Sequence, residues 1–424
     1  MKEPIRAAFG SPFRAQVAAL QLRLANQVPT ARWDDLRGDQ HARAFAVAGA
    51  LKADLLADIG EAVRKTQEEG GTLETFTKDF RKIVVDHGWH GWTGEGTAKG
   101  EAWRIRTIYR TNAATSFAAG RMAQLVDGNY RWWVYRHGNA LEPRLQHLAW
   151  DGIALKPDHP FWATHAPPNG WGCTCRVVGA DTEAGIRRVG GDPGKVLPPG
   201  WDAIDPRTGA PSGIDKGWAY PVGRSVALDV AQEVAGIAAR TAARVPPATG
   251  TDLIAANRAA IDKAWTGWVD RQLEAGTKGA PGLPGEPGLL GALSHDVVAA
   301  LAARGIEPAS SEIMVRPGLV AGVKAARHAR AGDALSYAEW RGLPQRLRTP
   351  AAVLRDERTG SLIYVLPSDG GPGAQLALTL DYRTRINRER TITNMVVSAY
   401  RAPRAGLLSR LAGGLVTLIL GSLD

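Results

Sequence analysis

The chain has 424 residues, 44% hydrophobic and 22% charged, a balance that excludes a disordered or fibrous protein and leaves room for about two to four domains. Its formal net charge of +10 and pI near 9.7 favour acidic partners such as nucleic acid or an anionic surface. The excess is uneven: residues 309–424 hold sixteen Lys and Arg against nine Asp and Glu.

Met1 to Gly10 has no apolar run of the signal-peptide kind, so no leader is expected. Between about residues 10 and 90, Phe45, Ala48, Leu51, Leu55, Ile59 and Val63 recur at three- and four-residue steps, the stripe of an amphipathic helix. Gly70-Gly71 should end that helix, and Thr72 with Phe76 and Phe80 should begin another. At least three helices are expected here, serving either as a docking surface or as a plain bundle. A glycine-rich connector leads to a helix from Glu101 to about Leu125. Its small residues Ala113, Ala114, Ala118, Ala119 and Gly120 would let another element approach closely. Tyr130 to Arg136 reads as a strand ending at the His137-Gly138-Asn139 turn.

The stretch from Arg144 to Val178 holds both cysteines and three of the nine histidines, among many Trp, Pro and Gly. Cys173 and Cys175 are one residue apart, a spacing that strains a disulfide between them, so a reducing compartment is the simpler reading. Two thiolates and two imidazoles, His147, His165, Cys173 and Cys175, would suit a closed structural Zn²⁺ site. A metal-free hydrogen-bonded core accounts for the same residues, and a catalytic metal or thiol is a third alternative.

Beyond Val178 a Pro/Gly loop region, Pro193 to Pro211, precedes helices expected over Ser225–Ala243 and Asp252–Leu273. Gly279 to Gly288 has collagen-like spacing over too few triplets for a triple helix and reads as a linker. A helix over about Pro317–Ala331 and strands over Ala351–Arg355, Leu362–Leu366, Leu376–Leu380 and Thr391–Tyr400 then give a small α+β domain with an antiparallel sheet. The apolar run Leu411–Leu423 is too short to span a bilayer, so it is expected as a buried or docking tail and no membrane partner is expected.

Several motifs in order resemble the phage Mu protein F-like head morphogenesis family. They are Arg144 and His147 in R-x-x-H, Asp151-Gly152, Asp158-His159-Pro160, Pro167-Pro168 with Gly170-Trp171, and C-x-C-R-V from Cys173. Pro29–Leu36 (P-T-A-R-W-D-D-L), Phe45–Gly49, Gly88-Trp89, Trp103–Asn112 and Gly213–Tyr220 (G-I-D-K-G-W-A-Y) are similar as well, so the likeness covers roughly residues 25 to 225. The resemblance implies a minor head protein of a phage or prophage virion, present in few copies in the head interior or at the portal vertex. Its implied partners are the portal and other head proteins, and its implied work is head assembly or DNA packaging and delivery.

Some members of that family carry C-terminal domains of the barnase–EndoU–colicin–RelE-like nuclease type, and the helix-then-sheet order here is similar. Metal-free RNA cleavage needs a base, an acid and cations for the phosphorane. Lys324 and His328, four apart on one helix face, are the candidate cation and base. Thr393 and Ser398 are candidate phosphate-binding hydroxyls. Their parity on one strand predicts opposite faces, so that one at most joins a given site. Arg383, Arg385, Arg388 and Arg390 form a basic loop suited to phage DNA or host RNA. Set against this, the histidine reads equally as an exposed helix residue and the arginines as a solvated hairpin tip.

The expected organisation is α+β throughout. A helical region over 1–100 precedes a Mu F-like central module over 101–225. A helical segment with linker follows over 226–304, and a basic, nuclease-like α+β domain over 305–424. A head morphogenesis protein is the leading expectation; a virion-delivered metal-independent RNase, and a nucleic-acid-binding module without catalysis, are the alternatives.

Overall fold

A computed structural model describes residues 13–423 except 37, 139, 141, 278–286, 368–372 and 387–388. It divides into two compact units, 1–233 and 234–424.

The first unit opens with helices α1 (Arg14–Leu24), α2 (Gln40–Arg43), α3 (Ala53–Glu68), α4 (Leu73–Asp86) and α5 (Ala98–Asp127). The stripe expected from Phe45 onward becomes helical only at Ala53. Gly49 sits at φ +83, and Phe45 and Ala48 instead form isolated parallel bridges to Gln27 and Thr30, while Leu51 faces solvent. Phe45 still reaches the core, where it joins Leu20, Leu55, Leu56, Ile59, Phe76 and Phe80. Gly70, in the left-handed region, closes α3, and the Thr72 hydroxyl caps α4 by accepting from the Thr75 amide. The small face of α5 does what its residues suggest: a Cβ at Gly120 would stand 2.5 Å from the Ala15 carbonyl carbon, so α1 rests directly on the α5 backbone.

After α5 come strand β1 (Trp132–Arg136), helix α6 (Leu145–Trp150), β2 (Ala154–Leu155), helix α7 (Phe161–His165), β3 (Arg176–Ala180) and helix α8 (Glu183–Arg188). β1 lies between β2 and β3 in a three-stranded antiparallel sheet. The segment is thus more regular than its Pro and Gly content suggests. Trp133, Tyr135, Trp150, Phe161 and Trp162 supply its aromatic core. A two-residue pair, β4 (Ile204–Asp205) with β5 (Ala210–Pro211), lies in the Pro/Gly region.

Helix α9 (Ala227–Ala242) runs from the first unit into the second. The single helix expected over Asp252–Leu273 is two, α10 (Pro247–Ala256) and α11 (Arg258–Thr277), broken at Asn257, whose side-chain amide turns back to the Leu253 carbonyl. Most of the expected linker lies outside the described residues; its last residue, Gly288, begins a strand. There follow β6 (Gly288–Ala292), α12 (His295–Ala302), β7 (Glu312–Val315), α13 (Pro317–Ala321), α14 (Val323–Ala331) and α15 (Tyr337–Leu347). Gly322, in extended conformation, splits the helix expected over Pro317–Ala331. The chain ends with β8 (Ala352–Asp356), β9 (Leu362–Val365), β10 (Gly373–Ile386), β11 (Glu389–Ala402), α16 (Arg404–Ala412) and β12 (Val416–Gly421).

The α+β expectation holds. Seven strands form one sheet in the order β12-β8-β9-β10-β11-β7-β6, antiparallel except where β11 meets β7. Both faces are covered: Val353, Leu376, Leu378 and Val396 pack with Trp265, Trp268 and Trp340, whereas Ala352, Leu354, Ile363 and Val365 pack with Leu407 and Leu423. The apolar tail forms β12 at the sheet edge, antiparallel to β8, with Val416, Ile419 and Leu423 buried and Leu415 exposed. Among the described residues no helix is long and apolar enough to cross a membrane.

One register detail overturns an expectation. Ala377 pairs with Ser398 but Leu378 pairs with Val396, so Val397 bulges out of β11 and the alternation resets. Ser398 therefore shares a face with Met395 and Thr393 rather than opposing them, because paired residues point the same way.

Candidate functional site

In the first unit, residues of widely separated motifs meet. Arg23 on α1 is buried, and its guanidinium donates to the Ala44 carbonyl, Thr115 Oγ1, Ser116 Oγ and, at 2.8 Å, Asn112 Oδ1. Burial lowers its pKa to about 10, so it stays charged at neutral pH with no carboxylate among those partners. Arg104 donates to the Ala48 carbonyl, which joins the Trp103–Asn112 motif to the Phe45–Gly49 motif. Asp215, from the Gly213–Tyr220 motif, accepts from Arg144 and from the Trp171 amide, each at 2.8 Å. Trp33, Trp171 and Trp218, one from each of three motifs, stand edge to face in series at 5.8 and 5.3 Å. Arg23, Arg104, Asn112 and these three tryptophans are among the residues lining a cavity of about 110 Å³.

Beside this lies a thiol–imidazole cluster. Gly172 at φ +71 begins the turn that carries Cys173 and Cys175, and His147 comes from α6. The Nδ1 of His147 stands 3.6 Å from Cys175 Sγ and 3.8 Å from Cys173 Sγ. Its Nε2 faces the Gly213 carbonyl at 2.9 Å; a carbonyl only accepts, so the ring proton sits on Nε2 and the Nδ1 lone pair points at the sulfurs. Both cysteines are free. The Cys173 thiol hydrogen-bonds Cys175 and pulls its pKa well below the ordinary thiol range; Cys173 is pushed up by that same bond and by burial.

His165, the fourth residue expected in a closed metal site, is placed otherwise. Its Nε2 faces the Trp201 carbonyl at 3.1 Å, its Nδ1 faces Thr164 Oγ1 at 2.8 Å, and its ring stacks on Phe161. Both ring nitrogens are thereby engaged, and burial lowers its pKa to about 4. Asp151 accepts from Arg136 Nε and the His137 amide, so it fixes a turn.

In the second unit, Lys324 and His328 both lie over the 397–400 segment of β11. Lys324 Nζ donates to the Val397 carbonyl at 2.7 Å, and the His328 ring stacks on Tyr400 at 5.5 Å, nearly parallel. His328 Nδ1 bonds the Asp333 carboxylate at 2.8 Å, and its Nε2 is buried without a protein partner. Ser398 belongs to this segment, but Thr393 does not: it is fully buried near Glu312, whose carboxyl burial raises to about 7. Arg383, Arg385 and Arg390 are exposed on the β10–β11 arm, Arg385 directly opposite Arg390; Arg388 lies outside the described residues.

Sequence reasoning missed Arg23, Asp215 and Asp333. Arg23 had a signal, since it falls three residues after Leu20 on the buried side of α1. Asp333 had none, because only the left-handed Gly332 turn brings it back to His328.

A family model described as Phage Mu protein F like protein matches residues 57–178. The putative capsid assembly protein F of Escherichia phage Mu is 34% identical over 186 residues, 42% of this chain and 42% of that protein. Residues 57–178 are thus similar to the Mu protein F-like family. A second relative, the Mu-like prophage FluMu F protein of Haemophilus influenzae, is 26% identical over 426 residues, 93% of this chain and 99% of that protein. The match to the phage Mu protein thus spans less than half of its length, whereas that to the prophage protein runs nearly end to end. No solved structure matches this chain. The family match ends at Val178, three residues after the second cysteine of the cluster, and includes His147, Cys173, Cys175, Arg104 and Asn112.

Proposed function

We propose that this Mu F-like chain is a minor head protein that acts in assembling a phage or prophage head, with head proteins as partners, the portal among them, and the virion as its location. The observation that carries the reading is the end-to-end likeness to a Mu-like prophage F protein, joined to 34% identity with a protein named for capsid assembly. The convergence of the motif residues supports it in physical terms: they lock a rigid aromatic and hydrogen-bonded frame, which suits an assembly component. Deleting the gene from its phage or prophage and imaging induced lysates by electron microscopy tests it. Loss of normal heads, restored by the gene in trans, is expected; heads in ordinary number and form would refute it.

A second reading, RNA cleavage by the second unit, is favoured by one observation. The Asp333 carboxylate holds His328 with its proton on Nδ1, leaving Nε2 as a lone-pair acceptor, the form a general base requires. Lys324 and Ser398 would then serve the phosphate. Incubating the full chain with RNA in chelator, beside its His328→Ala variant, tests this. Cleavage that the variant loses supports it; no cleavage by either protein ends it.

A third reading, nucleic-acid binding by the arm, rests on Arg385 facing Arg390, a like-charge pair that a phosphate would relieve. Arg385→Ala should then weaken binding and flatten its salt dependence.

A further inference from the structure

The cluster of His147, Cys173 and Cys175 has the dimensions of a metal site. In a tetrahedral zinc centre, Zn–S bonds of about 2.3 Å and Zn–N bonds of about 2.0–2.1 Å set the S···N edge near 3.6 Å. The two observed S···N separations are 3.6 and 3.8 Å, and the three candidate ligand atoms all lie within 4.8 Å of one another.

The surroundings fit a metal as well as the distances do. A metal-binding imidazole ordinarily donates its second N–H to a carbonyl or carboxylate, which fixes the tautomer and the ring plane. His147 does so to Gly213, and Trp150 stacks on the ring at 5.2 Å to hold it. The Gly138 backbone packs directly on the C-x-C turn because it lacks a side chain; a Cβ there would fall 2.1 Å from Thr174 Oγ1. Two soft sulfurs and one borderline nitrogen select Zn²⁺ over Mg²⁺ or Ca²⁺.

We infer that His147 Nδ1, Cys173 Sγ and Cys175 Sγ bind one zinc ion, with the fourth position left to solvent. His165 is not that fourth ligand, because both of its nitrogens are engaged elsewhere. Both cysteines line a larger cavity of about 800 Å³, from which water can reach the metal. The ion would tie α6 to the turn before β3, joining the R-x-x-H and C-x-C motifs through a bond that neither makes alone. This inference does not depend on the head-assembly reading.

The test uses the full chain, purified without a histidine tag, and elemental analysis. About one zinc per chain is expected, falling to a tenth or less in Cys175→Ser and His147→Ala and unchanged in His165→Asn. Those variants can fail to fold, so wild-type protein reconstituted with Co²⁺ alone gives an independent reading. Thiolate-to-cobalt charge-transfer absorption with intense tetrahedral d–d bands is expected at one equivalent. Wild-type protein that carries no zinc, and whose Co²⁺ spectrum is that of the hexa-aquo ion, would overturn the inference. So would zinc that His165→Asn removes as completely as His147→Ala.

Discussion

Arg144 and Asp215, 71 residues apart in sequence, meet at 2.8 Å, and the same Asp215 oxygen accepts from the Trp171 amide. One carboxylate thereby fastens the segment before α6 to the loop before the cysteines. Asp215→Ala should destabilise the first unit by about 1–2 kcal/mol, since both bonds are charge-assisted but the pair is one-third exposed. Denaturant unfolding of Asp215→Ala, Arg144→Ala and the double variant checks this. The double variant should lose less than the sum of the singles; strict additivity would mean that the two side chains do not interact.

Arg23 should be far less tolerant. Truncation to Ala leaves the Asn112, Thr115, Ser116 and Ala44 acceptors buried and unmatched, at a cost of roughly 3 kcal/mol or more. Arg23→Lys should recover less than half of that, because an ammonium cannot reach four acceptors arranged around a planar fork. Thermal unfolding of the two variants decides it, and a Lys variant as stable as wild type would show that charge alone matters.

How much of this was legible beforehand follows from the range of each interaction. The end of α3, the start of α4, the small face of α5 and strands β8 to β11 follow from local patterns: Gly70, Thr72, Gly120 and the alternation in Leu376–Leu380. The cysteines announce themselves by type and spacing. Long-range partners do not, and so ligand type and nearness in sequence group His165 with His147. The Val397 bulge was equally hidden, because a one-residue insertion against β10 has no signature in β11 itself, yet it reverses which face Ser398 occupies.

The two units should respond to pH in opposite senses. In the first, His165 has its folded pKa depressed from 6.5 to about 4, so its contribution is present above pH 6.5 and is lost as pH falls toward 4. His165→Asn should flatten that decline. In the second, Glu312 has its pKa raised from 4.5 to about 7, so its contribution is full below pH 4.5 and is lost as pH rises through 7. Glu312→Gln should remove that loss. Unfolding midpoints measured across pH 4–8 check both, and a Glu312→Gln profile identical to wild type would show that folding does not shift this carboxyl.

The reading of this chain as a head component is tested most directly by quantitative mass spectrometry of gradient-purified particles from the phage or prophage that encodes it. The account predicts peptides from both units in the head fraction, in few copies per particle and still present after tails are removed. Particles that contain the major head and portal proteins but none of this chain would contradict it.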